Sequence, residues 1–145
     1  MKVLRIASLD KGYADPREVL LHVCFQCLAD FVEKEKPETI VWDDEEHHRI
    51  AWSEIRSLYK WWKDERPARK DPLDSMVNKG PDMEEMFVPV LGKDYSRMLD
   101  LVTLREKYPE YYRAMDESIA LDLELGAEDQ LNLHRLIDVR EFLWT

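Results

Sequence analysis

An acidic and histidine-rich run at residues 43–48, DDEEHH, contains the side-chain types that bind divalent metal ions. Asp44 and His48 are four residues apart, as are Asp43 and His47, so each pair would share one face of a helix. A hydrolytic zinc centre needs three protein ligands and an open position, whereas one helix supplies only two ligands on a face. Asp44, His47 and His48 are candidate ligands for a metal-dependent nucleotide hydrolase. Capping of a helix start explains the acids without a metal ion, so we predict no metal site and no cofactor.

Cys24 and Cys27 form a C-x-x-C motif, which in other settings binds zinc or carries out thiol redox chemistry. The chain has only these two cysteines, so no second pair supplies further zinc ligands. Both lie in the middle of a predicted helix, on its apolar side, whereas thioredoxin-like motifs stand at a helix start. We predict that they are buried core residues, with a metal or redox site as the alternative.

Other catalytic signatures are missing from the sequence. There is no glycine-rich phosphate loop, no G-x-S-x-G turn and no H-E-x-x-H pair. We therefore assign no catalytic residue and favour a protein that is not an enzyme. The five tryptophans and six tyrosines suit a core and an interface, where aromatic residues and arginine are enriched.

One helix, predicted within residues 42–69, carries many of these aromatic side chains. At about 100° per residue, a narrow stripe faces one way and is predicted to be buried, and it consists of His48, Trp52, Ile55, Tyr59 and Trp62. Trp61 points to the opposite side, near Ile50, and two arginines follow. We predict that Trp61, Arg66, Arg69 and Ile50 form a partner-binding interface, with a small satellite core as the alternative.

The composition predicts one acidic globular domain. A chain of 145 residues with 45% hydrophobic residues can build a core without disulfides or metals, so we expect a single domain over residues 1–145. The formal net charge of −10 argues against direct binding to nucleic acid, because phosphate contacts need clustered Lys and Arg. A partner protein with a basic surface fits this charge better. The sequence leaves the oligomeric state open.

Targeting and membrane signals are not visible in the sequence. Residues 1–9 are too few and too charged for a signal peptide. No apolar run approaches the roughly 20 residues that span a bilayer. We therefore expect a cytoplasmic protein without membrane association, and the two cysteines agree with a reducing compartment.

Helix signals dominate the chain and predict a mainly α-helical bundle of about five helices. Asp15 and Pro16 mark one clear helix start. The predicted helices lie near 16–34, 42–69, 95–102, 109–125 and 127–143. Gly126 is expected to be a left-handed cap between the last two. Residues 2–9 predict either a short strand or an extended arm.

Between the helices, residues 68–93 contain several prolines and many charges, and we predict an irregular, mobile loop there. A loop of this length without regular structure is uncommon inside a small domain and is usually functional or mobile. Its apolar second half, MFVPVL at residues 86–91, is expected to dock either on the core or on a partner.

Two stretches of the chain carry a resemblance to known proteins. They are EVLLHVCFQCLADFVEKE at residues 18–35 and HRIAWSEIRSLYKWWKDERPAR at residues 48–69, with Trp42 between them. They resemble a group of short, uncharacterised proteins encoded by tailed bacteriophages. The resemblance covers about the first half of the chain and rests on LLHxxFxxLxxFVEKE followed by HRxAWxEIxxLYxWWKxxRPxR. No activity is established for that group, so it supplies no functional residue.

What the resemblance implies is a setting, namely expression in the bacterial host cytoplasm during infection. Small acidic phage proteins often act by binding a host protein, for example by blocking a defence system or a nucleic-acid enzyme. The leading hypothesis is therefore an acidic protein that binds and inhibits a host or phage protein. A metal-dependent nucleotide hydrolase and a structural or assembly component of the virion are the alternatives.

Overall fold

The computed structural model describes residues 4–9, 12 and 15–143. Within these residues the protein is mainly α-helical, as predicted, with five α-helices and one two-stranded antiparallel sheet. The helices are α1 Pro16–Lys34, α2 Glu46–Lys60, α3 Met83–Met86, α4 Leu101–Lys107 and α5 Pro109–Asp138. The strands are β1 Phe87–Pro89 and β2 Ser96–Met98, and short 3₁₀ helices lie between several of these elements.

The fold divides into two compact units, each of which is described by itself. Unit 1 comprises Met1–Arg69 and Gly126–Thr145, and unit 2 comprises Lys70–Leu125. Helix α5 contributes residues to both units. The single domain over residues 1–145 stays a prediction.

In unit 1, helix α1 begins and ends where the sequence predicts. The Asp15 side chain accepts a hydrogen bond from the Arg17 backbone N–H at 2.8 Å. Pro16 occupies the first helical turn, where its missing N–H would have no partner in any case. The helix ends at Lys34, shortly before the 3₁₀ turn Pro37–Thr39. Local capping chemistry is therefore sufficient to place this helix.

The core of unit 1 packs α1 and α2 against the end of α5. Its buried residues are mostly large and apolar: Leu21, Phe25, Leu28, Phe31, Trp42, Ile55, Leu58, Trp61, Trp62, Leu136 and Val139. Trp42 donates its indole N–H to the Pro37 carbonyl at 2.7 Å and stacks on Trp52, with ring centroids 5.0 Å apart. Each fully buried side chain of this size contributes about 1.5–3 kcal/mol, so this cluster is the main source of stability in unit 1.

Three short helical elements of unit 2 begin at aspartate caps. Asp71 caps the 3₁₀ helix Pro72–Met76, Asp82 caps α3 and Asp100 caps α4. In each case the carboxylate accepts a hydrogen bond from a backbone N–H, at 2.8, 2.8 and 2.9 Å respectively. These caps satisfy N–H groups that a helix start leaves without a partner inside the helix.

The segment 68–93 is not an irregular loop throughout, which corrects the prediction. It holds the 3₁₀ helix Pro72–Met76, α3 and β1. Strand β1 pairs with β2 in the register Phe87↔Met98, Val88↔Arg97 and Pro89↔Ser96. The helix predicted near 95–102 is also wrong, because β2 and the start of α4 occupy those residues. Periodicity is ambiguous over runs this short, and pairing across the hairpin decides the outcome.

The helix boundary predicted at Gly126 is also wrong. Helix α5 runs without a break from Pro109 to Asp138 and passes through Gly126, which has no positive φ and is not a left-handed cap. An isolated glycine costs a helix only about 1 kcal/mol relative to alanine. The helix-forming residues on both sides of Gly126 outweigh that cost.

At the amino terminus, residues 4–9 form no strand, so the short predicted strand is not seen there. Residues 2 and 3 of that prediction lie outside the described residues. In the described part of the chain, no helix combines the length and apolar character that crossing a membrane requires.

Replacing Gly126 with alanine should stabilise the protein by about 0.5–1 kcal/mol, because alanine loses less conformational freedom in a helix. A Cβ atom at Gly126 meets nothing within 4 Å, so no clash offsets the gain. The midpoint of urea unfolding measures the effect. Gly80→Ala is the matched contrast and should be destabilised, because its Cβ would lie 2.6 Å from Tyr111 Cε2. A loss of stability in Gly126→Ala would mean that the helix breaks at this residue.

Candidate functional site

A π-helical turn at Trp61–Glu65 follows α2 directly and turns two consecutive tryptophans inward. The Arg66 N–H bonds to the Trp61 carbonyl five residues earlier, whereas an α-helix uses the fourth. The wider turn advances by less than 100° per residue, so the stripe on α2 does not predict the direction of Trp61. Trp61 is 4% exposed and Trp62 is 7% exposed. The prediction that Trp61 presents an exposed aromatic surface is therefore wrong.

Helix α5 and α1 cover Trp61 within unit 1. The indole N–H of Trp61 donates to Glu128 Oε1 at 2.8 Å, and its ring centroid lies 5.1 Å from that of Phe25. The Arg69 guanidinium carbon lies 5.5 Å from the same ring centroid. The polar edge and the apolar faces of Trp61 are thus both satisfied within the chain. A partner would reach this ring only after the packing had opened.

Arg66 and Arg69 end the same segment and are held in a network of ion pairs. Arg66 binds Asp129 at 3.0 Å and Glu18 at 3.1 Å. Arg69 binds Glu128 at 2.5 Å and Asp129 at 2.7 Å. Burial tends to lower the pKa of Arg66, but Asp129 and Glu18 raise it. Because a buried charge without a partner is costly, these acids stabilise the two arginines in the fold.

The four predicted interface residues are therefore not brought together on one surface. The side chains of Arg66 and Arg69 are only 19% and 18% exposed. Trp61 belongs to the core. Ile50, on α2, is 62% exposed and is the member that stays at the surface.

The DDEEHH cluster forms separate local pairs. His48 Nδ1 lies 2.6 Å from Asp44 Oδ1, and His47 Nδ1 lies 3.1 Å from Glu45 Oε2. The hydrogen bond with His48 is the main cause that lowers the pKa of Asp44. A cap by Asp43 or Asp44 is not formed, because Glu45 holds the cap position of α2 and makes no side-chain hydrogen bond to the helix, whereas Glu46 lies in the first turn as expected. Among the described residues, no three His, Cys, Asp or Glu side chains are grouped to hold a metal ion.

Cys24 and Cys27 are free thiols, partly buried in α1. Burial is the main cause that raises the pKa of both thiols, so they form less thiolate at neutral pH than an exposed cysteine. Cys24 packs against the core of unit 1. These observations support a packing role.

Unit 2 exposes large apolar side chains around its β-hairpin, which the sequence had not identified as a site. Phe87, Leu91, Tyr95 and Met98 are 41%, 100%, 58% and 61% exposed, and we call these four residues the hairpin surface. Two of them, Phe87 and Leu91, belong to the MFVPVL segment for which docking was expected. Two apolar runs separated by a short turn with glycine were the sequence signal for this hairpin.

The turn of the hairpin explains why Leu91 is exposed. The Lys93 N–H donates to the Val90 carbonyl at 3.0 Å and closes a four-residue turn. Gly92, inside this turn, has a φ of +72°, which glycine adopts without strain. Leu91 lies at the tip, where no neighbouring strand covers it. On the strands, Phe87 and Met98 are direct cross-strand partners and share one face.

A surface cavity of about 760 Å³ in unit 2 lies beside Tyr108 and Tyr111. Its carboxylate Glu85 accepts a hydrogen bond from the Tyr108 hydroxyl and pairs with Lys107 at 2.7 Å. Its other carboxylate, Asp82, caps α3. Both carboxylates are engaged in holding the fold, and we assign no reaction to this cavity.

His22, on α1, lies beside the arginine network of unit 1. Its Nδ1 atom is 2.6 Å from Ser8 Oγ, and its ring meets Trp62 edge-on with centroids 4.9 Å apart. Burial is the main cause that lowers the pKa of His22, and the positive charge of Arg66 lowers it further. The fold therefore favours the neutral form of this histidine.

Truncating Trp61 to alanine should lower the free energy of unfolding by about 3–5 kcal/mol, the range for a buried large aromatic side chain. Ile50→Ala, an exposed control on the adjoining helix, should change it by about 0.5 kcal/mol or less. Urea unfolding of the parent and both variants checks this. If Trp61→Ala were as stable as the parent, Trp61 would belong to the surface after all.

Acidification from about pH 7 to pH 5 should destabilise the protein in part through His22. In the unfolded chain, His22 binds a proton as the pH falls through its ordinary pKa of about 6.5. The fold lowers the pKa of His22, so at this pH the histidine of the native state is still neutral. Stability is thus present above this pH and is lost as the pH falls towards the folded pKa. His22→Gln should flatten the pH dependence of unfolding free energy over this interval. Equal slopes in parent and variant would contradict it.

Comparisons with protein-family models, with curated proteins and with solved structures found no match for the chain. The resemblance to phage proteins therefore stays a prediction. Support for a function comes from the exposure, charge and geometry of the chain's own residues.

Proposed function

We propose that the protein acts by binding another protein and catalyses no reaction of its own. The observation that carries the proposal is the hairpin surface, where Leu91 is 100% exposed and Met98 is 61% exposed. Aromatic and methionine side chains are enriched in interfaces, and clusters of exposed apolar residues often mark binding sites. Leu101 and Val102, which follow β2, are also more than half exposed, at 53% and 67%.

The charge of the chain suggests the kind of partner. Glu110, Glu117 and Glu124 are exposed on α5, and successive members are seven positions apart, so they lie along one side at intervals of about 10.5 Å. None of the three has an ion-pair partner among the described residues. A row of free carboxylates on a chain of net charge −10 attracts a basic surface and repels nucleic-acid phosphates.

The resemblance to tailed-phage proteins supports a biological setting for this binding. In that setting the protein acts in the bacterial host cytoplasm, and its partner is a host or phage protein with a basic surface. Such a surface belongs to many proteins that handle nucleic acid, including those of host defence. By covering it, an acidic protein inhibits its target.

Leu91→Gln should reduce the amount of partner recovered by affinity capture from bacterial cells by about tenfold or more, because a buried hot-spot side chain contributes about 2 kcal/mol or more. Val41→Gln is the matched control, since Val41 is 72% exposed but lies in unit 1, away from the hairpin in sequence. It should recover the partner as the parent does. Mass spectrometry with labelled standards measures the recovered amounts.

Salt provides a second readout in the same experiment. Because the chain is acidic, association with a basic partner should slow as ionic strength rises. Recovery that is equal for parent and Leu91→Gln, or no specific protein recovered by the parent, would contradict the proposal.

A further inference from the structure

The β-hairpin has two outer edges, and its register decides which backbone groups each edge offers. The Leu99 N–H bonds to the Met86 carbonyl at 2.7 Å, and the Val90 N–H bonds to the Tyr95 carbonyl at 3.3 Å. In an antiparallel pair, hydrogen-bonded positions alternate with positions whose backbone groups point outward. Between these two bonded positions, the middle pair Val88↔Arg97 is therefore bonded inward.

The pairs Phe87↔Met98 and Pro89↔Ser96 consequently direct their backbone groups outward. The edge of β1 is incomplete, because Pro89 has no N–H to donate. The edge of β2 is complete, because Ser96 and Met98 each offer an N–H and a carbonyl. Neither residue has a hydrogen-bond partner beyond the hairpin among the described residues. One open edge, that of β2, is thus ready to pair with another strand.

The side chains of β2 specify what such a strand should carry. Met98 lies on the same face as Phe87, its cross-strand partner, and is 61% exposed. Arg97 is exposed on the opposite face and has no acidic partner among the described residues. In the turn before β2, Lys93 and Asp94 carry opposite charges, so the turn itself adds no net charge. The edge therefore combines an apolar position with an unpaired positive charge.

A second copy of this chain fits the edge poorly. Consider two β2 strands that pair around a two-fold axis. Ser96 and Met98 can both form backbone hydrogen bonds to the other copy only when Ser96 lies opposite Met98 of that copy. In that register each Arg97 lies directly opposite the Arg97 of the other copy. Like charges in direct cross-strand positions are destabilising. The occupant is thus expected to be a different chain.

We propose that the edge of β2 binds an extended segment of a partner protein, which adds a third strand to the hairpin. The segment carries apolar side chains beside Ser96 and Met98 and an acidic side chain opposite Arg97. This inference rests on the proposed function and specifies its mode of recognition. Backbone hydrogen bonds to Ser96 and Met98 supply affinity, and the side chain opposite Arg97 supplies selectivity.

The probe is the capped peptide Thr-Val-Asp-Val-Thr, which reads the same in both directions and so fits a parallel or an antiparallel strand. Titrated into the full chain at millimolar concentration, it should shift the backbone amide NMR signals of Ser96, Arg97 and Met98 more than any others. The same peptide with lysine in place of aspartate should bind about threefold more weakly, because it faces Arg97 with a like charge.

Two variants separate the backbone from the side chain at the edge. Ser96→Pro removes the outward N–H and should abolish the shifts, whereas Ser96→Ala keeps that N–H and should bind as the parent does. Slow exchange of the Arg97 amide, which bonds inward to Val88, shows whether the hairpin survives the proline. If it does not survive, the comparison of the two peptides on the parent chain decides the question.

Shifts that are absent or centred elsewhere, or equal binding of the aspartate and lysine peptides, would overturn the inference. The inference would also be overturned if the NMR signals of β2 shifted with protein concentration in the absence of peptide. Such shifts would mean that a second copy of the chain binds the edge. The outcome is independent of the capture experiment. If Leu91→Gln loses the partner but the peptide does not bind, the proposed function is supported and the strand-edge inference is wrong. If the peptide binds but no partner is captured, the strand-edge inference is supported and the proposed function is wrong.

Discussion

The burial of two consecutive tryptophans, Trp61 and Trp62, is the constraint on which the rest of unit 1 depends. In a regular α-helix, neighbouring side chains point about 100° apart. The π-helical turn Trp61–Glu65 widens the backbone at the end of α2, where both tryptophans are buried. Both indoles then pack near Phe25 of α1, with centroids 5.1 and 4.7 Å away.

The π-helical turn also determines where the charged side chains that follow it lie. It leads the chain to Arg66 and Arg69, whose guanidinium groups lie over the rings of Trp62 and Trp61 at 5.1 and 5.5 Å. Arginines this deeply placed need carboxylates, and α5 supplies Glu128 and Asp129. Part of the acidity of the chain is therefore structural, and the charge free for a partner lies elsewhere, as on the exposed side of α5 in unit 2.

Unit 2 differs from unit 1, because apart from the part of α5 that it includes, its helices and strands are short. Aspartate caps hold the starts of α3 and α4, and the hairpin between these helices leaves Leu91 and Met98 in solvent. Apolar side chains and an open strand edge occur together there, whereas Trp61 and Trp62 of unit 1 are buried. The exposed apolar residues of the hairpin surface include the aromatic side chains of Phe87 and Tyr95, a residue type that is enriched in interfaces.

The sequence by itself determined the mainly α-helical class, the start of α1 at Asp15 and Pro16, and the burial of Ile55 and Trp62. These follow from caps and periodicity, which act between residues a few positions apart. Only the tertiary structure decided that Trp61 is buried and that residues 87–98 form a hairpin. Each of these depends on partners distant in sequence or on a backbone irregularity, since Glu128 covers Trp61 and β2 selects the strand conformation of β1. Local patterns contain no information about such partners, so the predicted interface included Trp61, which lies in the core.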